Sequence, residues 1–80
     1  MNEWTVYILK CSDGKYYVGC TGNFDSRISR HNQGTVEFTK TRRPLVVVLR
    51  LLFPDKYKAY QFEKYLKSGS GREFMRRHFI

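Results

Sequence analysis

Cysteine and histidine are scarce in this sequence. Its 80 residues include two cysteines, Cys11 and Cys20, and two histidines, His31 and His78. No pair of them has the spacing of a structural zinc site, and one pair of thiols falls short of a disulfide framework. We therefore expect both thiols to be free and reduced.

Long apolar stretches are missing as well. The longest apolar runs are far shorter than the roughly 20 residues that span a bilayer. The first residues, Met1 to Trp4, lack the basic segment and the apolar run of a secretory signal peptide. No segment has low complexity or the composition of a linker, and 80 residues suffice for one modest core. We therefore expect a single cytoplasmic domain over residues 1–80, with no membrane partner.

Acidic residues are the third scarce group. Seven Asp and Glu stand against fifteen Lys and Arg, which leaves a formal net charge of +8. This charge density favours a polyanionic partner, because binding one neutralises phosphates and releases counterions. Nucleic acid is the leading candidate, and a basic protein without such a partner is the alternative that charge alone leaves open.

The first two predicted elements are the strands of a β-hairpin. Residues 4–11 and 15–21 are rich in β-branched and aromatic residues, and Ser12-Asp13-Gly14 between them is a turn signal. The length of the loop decides which side chains share a face of the sheet. If a two-residue turn joined the strands, Tyr7 and Tyr17 would point to opposite faces.

A three-residue loop with Gly14 in the left-handed conformation gives the other arrangement. Leu9 then faces Tyr17 and Tyr7 faces Gly19, so both tyrosines share one face, roughly 7–8 Å apart on the diagonal. Because glycine has no side chain, this arrangement leaves open space beside Tyr7 in which a phosphate could lie. Tyrosine is also favoured in strands for structural reasons, so the hairpin alone leaves both interpretations open.

A short helix and a third strand follow the hairpin. Asn23 can cap a helix whose apolar residues Phe24 and Ile28 lie one turn apart, and Gly34 follows as a stop. After a polar and basic stretch, residues 45–53 form nearly continuous apolar sequence between two prolines. This run predicts a buried central strand.

Two more helices complete the predicted fold. From Asp55 or Lys56 to Lys67, apolar residues recur at helical spacing. The segment Ser68-Gly69-Ser70-Gly71 then predicts a break before a last basic helix, Arg72 to His78. The order β-β-α-β-α-α predicts an α/β (α+β) fold, with a small three-stranded, mainly antiparallel sheet flanked by helices.

Three polar residues of the predicted helices should lie beside the core. Arg27 and His31 are four residues apart, on the side of the first helix that carries Phe24. An arginine held there can fork onto a phosphate and offset the charge that builds up as the bond breaks. Glu63 borders the apolar side of the long helix, and one carboxylate with phosphates and water can hold Mg²⁺. Each residue alone also fits an ordinary structural role, such as Glu63 paired with Lys67.

Together these residues resemble the GIY-YIG nuclease family. Thr5-Val6-Tyr7 is similar to the first signature of the family, and Tyr17-Val18-Gly19 is similar to the second. Residues 23–32 resemble the helix that supplies the catalytic arginine, here Arg27, with His31 at another recurrent polar position. Glu63 is similar to the metal-binding glutamate, and residues 68–79 resemble the tail of small stand-alone members.

The resemblance covers residues 4–79 and includes two departures. Thr5 replaces the glycine of the first signature, a variation that the family tolerates. No residue after Glu63 matches the asparagine that some members carry, which leaves the site less complete than theirs.

The resemblance implies an endonuclease that hydrolyses phosphodiester bonds of DNA, with a place in DNA repair or recombination. In the scheme that the residues support, Tyr7 accepts the proton of the attacking water and Tyr17 orients or shares it. Arg27 neutralises the transition-state phosphate, and Glu63 holds one Mg²⁺ or Mn²⁺ against the leaving oxygen. His31 positions the tyrosine or the phosphate.

A tyrosine base imposes an electrostatic requirement. A free tyrosine has a pKa of about 10, so only about a thousandth of it is ionised at neutral pH. Arg27, the metal, or a lysine such as Lys15 or Lys40 must therefore favour the phenolate.

The remaining basic residues are expected to hold the DNA backbone without reading bases. They are Lys15, Lys40, Arg42, Arg43, Arg72, Arg76 and Arg77. We expect duplex or branched DNA as the substrate, and a protein partner could supply specificity. Two rival functions stay open: an inactive nucleic-acid-binding module of the same fold, and a protein-interaction adaptor.

Overall fold

The computed structural model describes residues 3–80, which form a three-stranded sheet and three helices. The elements in chain order are β1 (Trp4–Lys10), β2 (Tyr16–Thr21), α1 (Phe24–Gln33), β3 (Val46–Phe53), α2 (Lys56–Leu66) and α3 (Gly69–His78). Both strand pairs are antiparallel, and the spatial order is β2-β1-β3. The predicted α+β class and element order are confirmed.

The hairpin between β1 and β2 has the three-residue loop. The N–H of Cys11 donates to the carbonyl of Lys15 at 2.8 Å, which closes the loop over residues 12–14. Gly14 has φ 84°, the left-handed conformation that glycine adopts without strain. Tyr7 therefore lies opposite Gly19, and the two-residue alternative is excluded.

The expectation of a buried central strand at residues 45–53 is wrong. The central strand is β1, and β3 lies at the edge of the sheet. Val46 and Leu52 of β3 are 61% and 56% exposed. β1 and β2 are joined by a tight hairpin, and the third strand pairs with the free edge of β1. No further strand of the described chain covers the other edge of β3.

Helix capping begins and ends α1 at the predicted residues. The Asn23 side chain accepts a hydrogen bond from the N–H of Ser26. Gly34 ends the helix with φ 79°, and its N–H bonds back to the last turn. In the same way, the side chain of Asp55 caps α2 by accepting from the N–H of Tyr57.

Helix α3 begins three residues earlier than the sequence predicted. The Ser68 side chain accepts from the N–H of Gly71 and caps a helix that starts at Gly69. A side chain at position 71 would collide with the backbone of Tyr65 and Leu66. The glycines therefore belong to the first turn of α3 and let it pack closely against the end of α2, so they do not break the chain.

The two faces of the sheet are covered differently. On one face, Val6, Ile8 and Val18 pack with Ala59, Leu66 and Met75 of α2 and α3, which forms the apolar core. The opposite face carries Tyr7 and Tyr17, and rings of α1 contact Tyr7 there. Cys11 and Cys20 are buried and free. Within residues 3–80, no helix is long and apolar enough to cross a membrane.

Candidate active site

A buried hydrogen-bonded chain joins Tyr7, His31 and Thr39. All three side chains have no exposed surface. The Tyr7 hydroxyl lies 2.9 Å from Nε2 of His31, and Nδ1 of His31 lies 2.8 Å from Oγ1 of Thr39. A neutral imidazole has one donor and one acceptor nitrogen, so His31 donates one of these two hydrogen bonds and accepts the other. With the proton on Nδ1, His31 donates to Thr39 and accepts from Tyr7.

Burial sets the protonation states of this chain. Burial, with a smaller contribution from the charge of Tyr17, raises the pKa of Tyr7 to about 12. Arg27 acts in the expected opposite direction, because its guanidinium lies close to the hydroxyl, but burial outweighs it. Burial also lowers the pKa of His31, with Arg27 and Arg30 adding to the effect. At neutral pH the pair is thus a phenol beside a neutral imidazole.

The open space expected beside Tyr7 is filled by Tyr7 itself. A side chain at position 19 would collide with the Tyr7 ring and its hydroxyl. Gly19 therefore allows the ring to lie across the edge strand β2. The phosphate pocket that the sequence placed at this point does not exist in the structure, because the ring turns toward the gap that the glycine leaves.

Tyr17 borders the buried chain on its solvent side. Its ring centroid lies 6.2 Å from that of Tyr7 and 4.9 Å from that of His31. Tyr17 is half-buried, whereas Tyr7 is fully covered. Of the two tyrosines, Tyr17 is thus the one that a molecule in solution meets first.

The charges of Arg27 and Glu63, which lie in different elements, both act on the Tyr7 hydroxyl. Arg27 lies in α1, and its guanidinium comes close enough to Tyr7 to lower the tyrosine pKa. Glu63 lies in α2; after burial, its negative charge is the main cause that raises the pKa of Cys20, and it adds a smaller rise to the pKa of Tyr7. The structure therefore brings together the five polar residues that the sequence singled out: Tyr7, Tyr17, Arg27, His31 and Glu63.

The donor set around Glu63 fits a hydrated divalent cation. Among residues 3–80, no three His, Cys, Asp or Glu side chains form a metal-binding group. Glu63 is 19% exposed and pairs with Lys67 at 3.1 Å, an ion pair weak enough for a cation to displace. Mg²⁺ binds through one or two carboxylates when substrate phosphates and water complete its shell. Glu63 can therefore hold Mg²⁺ or Mn²⁺ together with DNA, but no cage is built for the ion alone.

Arg42 and Arg43 are engaged with the protein itself. Arg42 lies 4.2 Å over the Phe38 ring and pairs with Asp13 at 3.6 Å. Arg43 donates to the carbonyls of Asn32 and Lys40, each at 3.1 Å. Both guanidinium groups hold residues 35–43 against the rest of the fold, which gives them a structural role beside the DNA contact expected of them.

The other basic residues expected to contact DNA are all exposed. Lys15 lies at the hairpin tip, two residues before Tyr17, and Lys40 pairs with Glu37 at 3.2 Å on the surface. Arg72, Arg76 and Arg77 project from α3, where Arg76 pairs with Glu73 at 2.6 Å. Arg72 and Arg76 line a groove beside Tyr17.

Thr39 is the member of the site that sequence reasoning missed. It lies in the polar stretch between Gly34 and Pro44, which has neither helical nor strand periodicity. Its burial follows from the contact with His31, eight residues away. The requirement that a buried histidine needs a partner for each ring nitrogen was the available signal, but it could not identify which residue meets it.

Known proteins share both the sequence and the fold. A family model described as the GIY-YIG catalytic domain matches residues 3–77. The UPF0213 protein SH2523 of Staphylococcus haemolyticus is 40% identical over 74 residues, which cover 91% of this chain and 90% of that protein. A UPF0213 protein of Staphylococcus aureus is 34% identical over 77 residues, covering 95% and 94%.

A solved structure shows the same architecture. The solution NMR structure of the UPF0213 protein BH0048 from Bacillus halodurans superposes with a TM-score of 0.60 at 35% sequence identity. The match covers 94% of this chain and 83% of that one. Three antiparallel strands and three helices in this order are therefore a fold that an experimental structure shares.

Proposed function

Since the chain belongs to the GIY-YIG family of nuclease domains, we propose that it is a metal-dependent endonuclease that hydrolyses DNA phosphodiester bonds, of use in repair or recombination. The observation that carries this proposal is the buried Tyr7 hydroxyl bonded to His31, with the guanidinium of Arg27 close by and the charge of Glu63 near enough to act on it. Burying a phenol for stability alone requires one hydrogen-bond partner, not a cation and a carboxylate as well. The net charge of +8 suits a polyanionic substrate.

The Tyr7–His31 pair offers a route for the proton of the attacking water. The Tyr7 oxygen can accept that proton while its own proton passes to Nε2 of His31, 2.9 Å away. No free phenolate has to form in advance, which a pKa of about 12 would make rare. Thr39 fixes the imidazole so that Nε2 faces Tyr7. The phosphate arriving at the site adds negative charge, which favours the imidazolium that results.

Arg27 couples the binding of the substrate phosphate to the access of water to the Tyr7 hydroxyl. In the free protein it lies against the Tyr7 hydroxyl, which has no exposed surface. A phosphate binds a guanidinium through two parallel hydrogen bonds, more strongly than a neutral phenol does. When the scissile phosphate takes over Arg27, the Tyr7 oxygen loses that neighbour and becomes available to water. The same guanidinium then offsets the charge of the transition state.

Tyr17 and Glu63 complete the site. Tyr17 faces solvent beside Tyr7 and can orient the water or the phosphate. Glu63 would hold the divalent cation in place of its contact with Lys67. The cation, when bound, supplies positive charge for the leaving oxygen.

A second function is a DNA-binding module without cleavage. The observation that favours it is the complete burial of Tyr7, together with its raised pKa. If the Tyr7–His31–Thr39 chain stayed closed with DNA bound, it would only stabilise the fold. The basic surface would then bind phosphates without hydrolysing them.

A cleavage screen separates the two functions. Purified protein is incubated with supercoiled plasmid and with labelled blunt, nicked, flapped and branched DNA, in Mg²⁺, in Mn²⁺ and in EDTA. The proposal expects nicking of at least one substrate with either cation and none in EDTA. Binding to all substrates without cleavage of any would assign the chain to the binding module.

A further inference from the structure

A groove of about 490 Å³ lies between the edge strand β2 and helix α3. Its floor is formed by Val18, Leu66 and Met75, which belong to the apolar core. Tyr17 lines this groove and also contacts the cluster around Tyr7, so the groove opens beside the candidate active site. Its volume lies in the range of pockets that hold small ligands.

One wall of the groove is aromatic. The rings of Tyr17 and Phe38 lie 5.5 Å apart, tilted by 40°. Arg42, which does not line the groove, packs on the Phe38 ring at 4.2 Å. Even so, Phe38 remains 42% exposed. An aromatic ring that is held in place but keeps a free surface is a platform on which a nucleobase can stack.

The rim of the groove is basic. Lys67, Arg72 and Arg76 line it, and no Asp or Glu side chain of residues 3–80 does. Lys67 and Arg76 pair with Glu63 and Glu73, but their side chains are 51% and 68% exposed, so these ion pairs are weak. A phosphate can therefore replace the carboxylates. Apolar floor, aromatic wall and cationic rim together complement a nucleotide, whose base is flat and whose phosphate is anionic.

We propose that this groove binds one unpaired nucleotide of the DNA next to the phosphate that is cut. Its base stacks on Phe38 and Tyr17, and its phosphate lies on Arg72 or Arg76. A base inside a duplex is stacked on both sides and cannot enter a pocket without leaving the helix. The substrate class is therefore DNA with a single-stranded segment, or with a nucleotide that flips out easily, at the cleavage point. This inference rests on the proposed function, because the groove shares Tyr17 with the active site.

The test measures binding in EDTA, so that cleavage does not enter it. Three labelled DNAs of the same sequence are compared by fluorescence anisotropy: a blunt duplex, a duplex with a three-nucleotide extension, and the single strand. In a second set, 2-aminopurine replaces the first unpaired base, whose fluorescence is quenched when it stacks. We expect the extended duplex to bind about tenfold more tightly than the blunt one, with quenching of the probe.

Phe38→Leu is the diagnostic variant, because it keeps apolar bulk and removes the aromatic face. Tyr57→Leu is its matched control, since Tyr57 is a 74% exposed aromatic in α2 that does not line the groove. Phe38→Leu should erase the preference for the extended duplex and the quenching, without changing the affinity for the blunt duplex. Tyr57→Leu should keep both. Thermal unfolding of each variant shows whether it is folded at the assay temperature. Arg72→Gln, at an exposed position on the rim, provides a second variant that should weaken binding of the extended duplex.

Three outcomes would overturn the inference. They are equal binding of blunt and extended DNA, unchanged 2-aminopurine fluorescence, and identical behaviour of Phe38→Leu and Tyr57→Leu. A groove that instead takes a protein segment or a second copy of this chain would give the first outcome. A preference for extended DNA without any cleavage in Mg²⁺ would remove the proposed function and keep the nucleotide site. Equal cleavage of blunt and extended DNA in Mg²⁺ would keep the proposed function and remove the nucleotide site.

Discussion

The two faces of the sheet bury their side chains in opposite ways. On the apolar face, Val6 and Ile8 pack against apolar side chains of α2 and α3, and they need no hydrogen-bond partner. Above it, Tyr7 is buried with His31 and Thr39, and each polar atom of this chain has a hydrogen-bond partner. Burying polar groups stabilises a fold less than burying apolar ones of the same size. One face therefore stabilises the fold through apolar packing, while the other buries polar groups that each need a hydrogen-bond partner in a fixed position.

The largest expected effect lies at the edge where the polar face meets α2. Glu63→Gln keeps the shape of the side chain and removes the charge that a divalent cation needs. Cleavage should fall by more than about a hundredfold, while DNA affinity in EDTA holds or rises slightly, because a negative charge facing phosphates is gone. Cleavage rates in Mg²⁺ and fluorescence anisotropy in EDTA, on the same DNA substrate, measure the two effects.

Arg27→Ala is the matched control for that experiment. Its charge meets phosphate before and during the reaction, so its loss should abolish cleavage and also weaken binding in EDTA. Full cleavage by Glu63→Gln would show that the metal is held elsewhere.

A substitution on the apolar face should lower the stability of the protein and leave its cleavage activity unchanged. Ile8 is 1% exposed and directly follows Tyr7 along β1. Ile8→Ala should lower the free energy of unfolding by about 2–5 kcal/mol, because it leaves a cavity in the core. The fraction that stays folded should cleave normally. Chemical denaturation gives the stability, and cleavage per folded molecule at low temperature gives the activity. Activity lost out of proportion to folding would mean that the two faces are not independent.

The buried Tyr7 of the polar face should make the free energy of unfolding fall in alkaline solution. The pKa of Tyr7 is about 12 in the folded protein and about 10 in the unfolded chain. A pKa raised by folding contributes stability that is complete below the unfolded value and lost as the pH rises toward the folded value. Stability should therefore drop by about 2–3 kcal/mol between pH 9 and pH 12. Tyr7→Phe should lack this part of the decline. An identical decline in both proteins would show that folding does not raise the pKa of Tyr7.

The smallest effect concerns the basic surface. Arg77 is exposed on α3, whereas Arg43 donates to two backbone carbonyls. If Arg77 contacts phosphate, Arg77→Ala should reduce the salt dependence of DNA binding by about one ion and leave stability unchanged. Arg43→Ala should mainly lower the melting temperature. Salt titrations of binding and thermal unfolding distinguish the two, and equal salt slopes for wild type and Arg77→Ala would place the DNA on another surface.

The sequence was informative where chemistry is local. Ser12-Asp13-Gly14 predicted the turn, and a three-residue loop there was the arrangement that puts Tyr7 and Tyr17 on one face. Asn23 and Gly34 marked the ends of α1. It was uninformative where the answer depends on what lies across the fold. An apolar run reads the same in a central strand and in an edge strand such as β3. The ring of Tyr7 over Gly19 and the burial of Thr39 follow from tertiary contacts that no local pattern encodes.

Neighbouring residues on the two faces provide the most direct test of the central claim. Tyr7→Phe removes one hydroxyl from the polar face, and Ile8→Val removes one methylene from the apolar face. Single-turnover cleavage in Mg²⁺ is measured for both and for wild type, at a temperature where all three are folded. We expect Tyr7→Phe to lose at least about a hundredfold in rate, while Ile8→Val stays within about twofold despite a loss of about 0.5–1.5 kcal/mol in stability. Cleavage by Tyr7→Phe at the wild-type rate would contradict the claim and leave the buried Tyr7–His31–Thr39 chain with a structural role.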